Sequence, residues 1–258
     1  GDLPTDFQWV ETARTRAAGR IPVRLGLECE WLPGCERWIE DLASRADWDY
    51  LIGSIHYLSD WDFDNPKWLG RWAEADLEET WSRYWEEYAG MARSGLFDFL
   101  GHPDLIKKFA YRPDGDLKHF YEPAIEAIAS AGCAIELNTT GWHKPCEEQY
   151  PAFDFLVLAR GAGIPLLINS DAHAPDQVAR GFEKAIALAR EAGFSETALF
   201  DKRQRSAMAL GCAKKRRSTP RSPRPRRPPP GTSTPHPPPS ARPTPPPRCD
   251  TPAPSFRT

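Results

Sequence analysis

Gly26-Leu27-Glu28, Gly53-Ser54-Ile55-His56, Gly101-His102-Pro103-Asp104 and Ser170-Asp171-Ala172-His173 each close a short, mostly apolar run. Four strand-like segments thus deliver Glu28, His56, His102, Asp171 and His173 at their C-terminal ends. In barrels of alternating strands and helices that end is where chemistry is built. Imidazole and carboxylate donors suit Zn, Fe or Mn, and six cysteines without a CxxC pair speak against a thiolate site. A carboxylate can bridge two cations roughly 3.5–4 Å apart, a spacing suited to splitting phosphate esters. The metal polarises the phosphoryl oxygens, lowers the pKa of a bound water and screens the leaving group.

Each residue also has a plainer reading. His56 or His102 alone would serve as a polar cap on a buried strand. Asp171 would serve as an N-cap, with Pro175 just inside the helix that follows. Glu30 rivals Glu28, because side-chain alternation puts both on one face of an extended strand. The joint pattern carries the metal reading. His119, in a helical stretch, and His236, among prolines, are read as surface residues.

The elements that must position these residues alternate. Helical patterns cover Asp6 to Ala18, residues 35–45, about Asp76 to Ser94, Pro123 to Ala131, Phe153 to Arg160 and about Pro175 to Ala192. Strand patterns cover Val23 to Glu28, Tyr50 to Ile55, Phe97 to Leu100, Cys133 to Asn138 and Pro165 to Asn169, with a weak one near Ala198 to Phe200. Helix, glycine stop and strand in repetition predict parallel strands joined by crossover helices. Five good strands are too few to close a barrel. Most of the ten tryptophans are read as packing, with Trp61, Trp68 and Trp142 as candidates to wall a pocket.

The net charge of −3 conceals two unlike pieces. From Cys212 onward there are 11 Lys/Arg against Asp250 alone, and 16 of the 27 prolines. Residues 212–258 are therefore expected to be a disordered Pro/Arg-rich tail. Residues 1–211, with 22 basic and 35 acidic residues, are long enough for one domain with its own core. No basic-then-apolar leader opens the chain, and no apolar run approaches the ~18 residues of a membrane span. Scattered thiols point to a reducing, cytoplasmic setting.

At the quoted segments, together with Glu136-Leu137-Asn138-Thr139 and Gly141 to Pro145, the sequence resembles the PHP (polymerase and histidinol phosphatase) superfamily, specifically its histidinol-phosphatases. The resemblance runs from about residue 4 to 210, in the family's order. It implies a distorted (β/α)7 TIM-like barrel with two to three divalent metal ions on its C-terminal face. It also implies hydrolysis of L-histidinol phosphate to L-histidinol and phosphate, in histidine biosynthesis. By the family pattern Glu28 would bridge two metals, His56 and His102 would complete one, Asp171 would serve another and His173 a third. Lys144 and Asn138 would bind substrate, and His143 would pass a proton to the leaving alkoxide or hydrogen-bond the phosphate.

The departures are specific. The family opens with a His-x-His pair, whereas the first histidine here is His56. The expectation is an N-terminally truncated chain that binds metal incompletely and is inactive alone. The family's Gly-x-Arg-Lys reads Gly141-Trp142-His143-Lys144 here, which leaves another small phosphate ester open as substrate. A nucleic-acid-directed PHP module would suit the basic tail but not the acidic body, and the tail, with Phe256 its only aromatic residue, lacks interleaved aromatics for base stacking. Pro-x-x-Pro spacings such as Pro220 to Pro223 would suit SH3-like partners. The expected partner is a small phosphate ester, with no nucleic acid and no membrane; the oligomeric state is left open.

Overall fold

The computed structural model describes residues 3–17 and 19–211, so the tail expectation for residues 212–258 lies outside the described residues. In chain order the elements are α1 (Leu3–Ala17), β1 (Gly26–Glu30), α2 (Glu36–Ala43), β2 (Tyr50–Ser54), β3 (Tyr57–Leu58), β4 (Trp61–Asp62), α3 (Leu69–Trp72), α4 (Leu77–Arg93), β5 (Phe99–Leu100), α5 (Lys118–Ala131), β6 (Ala134–Asn138), α6 (Phe153–Gly161), β7 (Leu166–Asn169), α7 (Phe182–Glu191), β8 (Glu196–Asp201) and β9 (Gln204–Ala209).

Five strands form one parallel sheet in the order β1-β2-β5-β6-β7. Apart from the small β3–β4 hairpin, neighbours in space are successive strands of the chain, each reached through a helix. Winding in one direction puts the helices on one face of the sheet. Strand alternation therefore sends Cys29, Leu51, Leu100, Ile135, Leu137 and Leu166 into the helix-covered core. That core is unusually aromatic: Trp81, Tyr84, Trp85 and Tyr88 of α4 are buried at helical spacing and meet Phe155 and Tyr121. Among the described residues the sheet is open, with β1 and β7 at its edges, in keeping with the expectation that five strands are too few to close a barrel.

Opposite the helices, Tyr50, Ile52, Phe99, Ala134 and Leu167 meet Ala198 and Phe200 of β8. The segment expected as a weak last strand is one arm of an antiparallel hairpin with β9. Lys202 and Arg203 at its tip both take positive φ, 49° and 63°, the mirror-image turn that matches strand twist. Aspartates anchor the opposite end of the sheet from the site. Asp49 accepts hydrogen bonds from Leu25 N (2.7 Å) and Lys202 N (3.1 Å), and Asp98 accepts one from Leu51 N (2.7 Å).

One helix starts later than its pattern suggests. Pro175–Gln177 form a separate 3-10 turn and α7 begins at Phe182, so Asp171 does not cap it. Among the described residues no helix is long and apolar enough to cross a membrane.

Candidate metal and phosphate site

The C-terminal ends of the five parallel strands surround a cavity of about 280 Å³ lined by Glu28, His56, Asp64, His102, Leu105, Lys108, Thr140, Lys144, Tyr150, Asp171, His173, Gln177 and Arg180. Glu28, His56 and His102 come from the ends of three adjacent strands, and their ligand atoms lie within 4.8 Å of one another. Glu28 Oε1 stands 3.1 Å from His102 Nε2 and 3.8 Å from His56 Nε2. Close approach of strands makes this possible. A Cβ on Gly101 would lie 2.5 Å from Ser54 Oγ, so only glycine lets the end of β5 come so near β2.

The Glu28/Glu30 ambiguity resolves into two roles. Glu30 lies behind His56, accepting from its Nδ1–H at 2.6 Å, from His56 N at 2.8 Å and from Tyr57 N at 3.2 Å. A carboxylate only accepts, so Nδ1 carries a proton and Nε2 is the ring nitrogen that faces Glu28. A second carboxylate that fixes the tautomer of an imidazole is the usual support of a metal-bound histidine.

His102 is 5 % exposed, and its backbone N–H donates to Glu136 Oε2 at 2.6 Å, while its Nδ1 is buried without a partner. Burial lowers its imidazole pKa. The Glu28 hydrogen bond and charge, helped by Glu136 and Asp171, outweigh that and lift it to about 9. Burial raises Glu28, but its bond to His102 prevails and holds the carboxyl down to about 2. A proton on His102 thus supplies the positive charge that this cluster calls for. The oxygen and nitrogen donor set and the preset His56 tautomer fit a divalent cation.

Asp171 and His173 line the same cavity but fall outside the tight cluster. His173, with its side chain 82 % exposed, donates from Nδ1 to Asp171 O at 3.0 Å, which leaves Nε2 as the free ring nitrogen. Asn138 is fully buried beneath the cavity and does not line it. Its amide donates to Glu136 Oε2 at 3.0 Å and Asp171 Oδ2 at 3.2 Å, and its carbonyl accepts from Thr140 N at 2.8 Å. Every polar atom of Asn138 is engaged, so it reaches the cavity only through Asp171. Lys144 lies on the lining, whereas His143 is exposed on the preceding turn and does not line it. Trp61 is buried against Trp72, and neither Trp68 nor Trp142 lines this cavity. His119 is exposed, as expected.

Several residues of the site escaped the sequence reading. Glu136 is 2 % exposed, burial pushes its carboxyl up, and it holds His102, Asn138 and Asn169 together. An acid inside the apolar run Cys133 to Leu137 was its available signal. Asp104 is also fully buried, and burial lifts its carboxyl to about 6 against the pull of Lys107 Nζ at 2.8 Å. Lys107 reaches Glu148 at 3.1 Å as well, and Asp104 accepts from Ala152 N at 2.7 Å. This buried network pins the Gly-His-Pro-Asp segment. His102, Asp104 and Asp171 take φ of 22°, 60° and 46°, local strain of the kind that collects at functional sites.

The family described as PHP domain matches residues 3–140. A probable histidinol-phosphatase of Deinococcus radiodurans is 41 % identical over 191 residues, covering 74 % of this chain and 73 % of that protein. A histidinol-phosphatase of Lactococcus lactis subsp. lactis is 23 % identical over 206 residues, covering 77 % and 76 %. The crystal structure of histidinol phosphate phosphatase from that organism, complexed with Zn, L-histidinol and phosphate, superimposes with a TM-score of 0.69. Identity in that comparison is 22 %, and 80 % of each chain is covered, a likeness of fold.

Proposed function

The chain belongs to the PHP domain family, and on that premise we propose that it is a metal-dependent phosphomonoesterase that hydrolyses L-histidinol phosphate to L-histidinol and phosphate. The observation that carries this reading is the convergence of Glu28, His56 and His102 in a cavity that also holds Asp171, His173 and Lys144. Its relatives support the substrate. The Deinococcus protein is named a probable histidinol-phosphatase, and the L. lactis enzyme of the same fold was crystallised with Zn, L-histidinol and phosphate.

Glu28, His56 and His102 would hold one divalent ion, and Asp171 with His173 would serve the remainder of a complement of two to three, drawn from Zn, Fe or Mn. Such ions, when bound, supply Lewis-acid charge for the phosphoryl oxygens and activate water for attack on phosphorus. Water adds to phosphorus, the bond from phosphorus to the alcohol oxygen breaks, and the alcohol leaves with a proton. Glu30 keeps the His56 Nε2 lone pair directed at the cavity, and Glu136 keeps His102 in place beneath Glu28. Asn138 steadies Asp171 and so acts through it. Lys144 meets the phosphate as a point charge.

The four described cysteines are free thiols, which supports a cytoplasmic setting. The test is phosphate release from L-histidinol phosphate against a panel of phosphate esters, after loading with Zn, Mn or Fe. Release that is fastest for histidinol phosphate and abolished by His102→Ala is expected. A parent protein no faster than His102→Ala on every ester would refute the proposal.

A further inference from the structure

Lys107 is fully buried, carries an ammonium and does not line the cavity. Its Nζ lies 2.8 Å from Asp104 Oδ2 and 3.1 Å from Glu148 Oε2, and 5.7 Å from the centre of the Tyr150 ring. Asp104 is fully buried as well. Each of these charges has been taken out of water at a cost, and apolar residues of the same volume would serve stability as well or better. Stability alone therefore does not account for the cluster.

The two carboxylates belong to different walls of the cavity. Asp104 ends the segment Gly101 to Asp104, in which His102 and Asp104 take φ of 22° and 60°. Glu148 belongs to the segment that follows Lys144 and runs beside the end of β6. There Tyr150 N donates to Asn138 O at 3.0 Å, and Asn138 N donates to Tyr150 O at 2.7 Å. Tyr150 itself lines the cavity. Backbone donors reinforce the contact between the walls, Ala152 N giving to Asp104 Oδ2 at 2.7 Å and Cys146 N to Lys108 O at 3.1 Å. Arg112 Nη2 meets Glu148 Oε2 from the more exposed side at 2.7 Å.

We infer that Lys107 is a positioning residue for the candidate metal ligand His102: its ammonium, held between Asp104 and Glu148, clips the segment bearing His102 to the segment bearing Tyr150. This rests on the metal-dependent phosphatase reading and adds a residue that acts on the site from outside it. A left-handed backbone at non-glycine residues persists only where its surroundings over-determine it, and Lys107 supplies that constraint through Asp104. His102 is thereby kept where its Nε2 stands 3.1 Å from Glu28 Oε1. An apolar side chain would fill the same volume without a direction and leave the segment free to shift.

The test compares the full parent chain with the double variant Lys107→Met/Asp104→Asn. The pair of substitutions removes one buried charge of each sign and leaves Glu148 with Arg112, and the amide oxygen introduced at position 104 still accepts from Ala152 N. The melting temperature should stay close to that of the parent. Zinc affinity, read by competition against a chromophoric chelator, should fall about 10- to 100-fold, the loss seen when the support of a metal-bound histidine is removed. At saturating zinc, kcat for L-histidinol phosphate should fall about as much with KM nearly unchanged, because Lys107 does not touch the cavity. Asp104→Asn alone keeps the Lys107–Glu148 pair, should show the same losses in smaller measure, and carries the test if the double variant fails to fold. A folded variant with parental zinc affinity or parental kcat overturns the inference. Unfolding of both variants overturns it too, since Lys107 and Asp104 would then serve the fold alone. A parent that binds zinc but releases phosphate from no monoester overturns the phosphatase reading, and the zinc measurement then decides this inference by itself.

Discussion

Replacing Glu30 by Gln should cost the protein its metal affinity without costing it its fold. In the parent, one oxygen of Glu30 serves His56 N and Tyr57 N, and the other serves His56 Nδ1 at 2.6 Å. Glutamine keeps a carbonyl oxygen for the two backbone donors, so the local turn loses only the charge component of those bonds, about 0.5–1.5 kcal/mol. The NH2 group, however, must face Nδ1. The imidazole then accepts at Nδ1 and carries its proton on Nε2, toward Glu28, where a cation would need the lone pair. Loss of a supporting partner of this kind lowers metal affinity about 10- to 100-fold, or roughly 1.4–2.7 kcal/mol. Zinc competition against a chromophoric chelator reads this directly, with circular dichroism as the fold control. The same substitution made in a His56→Ala background should change zinc affinity very little, since the two residues act through one bond. Parental zinc affinity in Glu30→Gln, or an undiminished effect in the His56→Ala background, would refute the assignment of Glu30 as the support of His56.

Three further outcomes follow from the geometry. His102→Ala should reduce metal content and phosphatase activity together, by elemental analysis and phosphate release, because it removes a member of the Glu28–His56–His102 cluster. In metal-free protein, His102 raised to about 9 stabilises the fold fully below its usual 6.5 and loses that contribution as pH rises through 9. Glu28, held to about 2, contributes above its usual 4.5 and loses that contribution on acidification. The difference in melting temperature between metal-free parent and His102→Gln should therefore be largest between pH 4.5 and 6.5 and shrink toward pH 9. Gly141→Ala would place a Cβ 2.1 Å from Glu148 O, a backbone atom that cannot swing away. Overpacking of about 1–3 kcal/mol is expected, lowering the melting temperature by roughly 2–12 °C in a calorimetric scan.

The sequence by itself determined the alternation of helix and strand, because apolar periodicity and glycine stops are local signals. Tyr50 to Ser54 and Ala134 to Asn138 form strands close to where their patterns lie. Glu28, His56 and His102 are also legible as candidate donors, since a polar residue at the end of an apolar run is visible in one dimension, and the fold brings the three together. Strand alternation could not separate Glu28 from Glu30, for both share a face. Only the position of His56, delivered from the next strand, divides them into a cavity-facing residue and a support. α7 starts at Phe182 rather than near Pro175, because Pro175–Gln177 form a separate 3-10 turn and Gly181, just before the helix, takes positive φ close to Trp142, a residue distant in the chain. The engagement of Asn138 and the position of His143 off the cavity lining are likewise beyond any local pattern. Each depends on which partners the fold brings within about 3 Å, the range over which a hydrogen bond commits a side chain or leaves it free for a ligand.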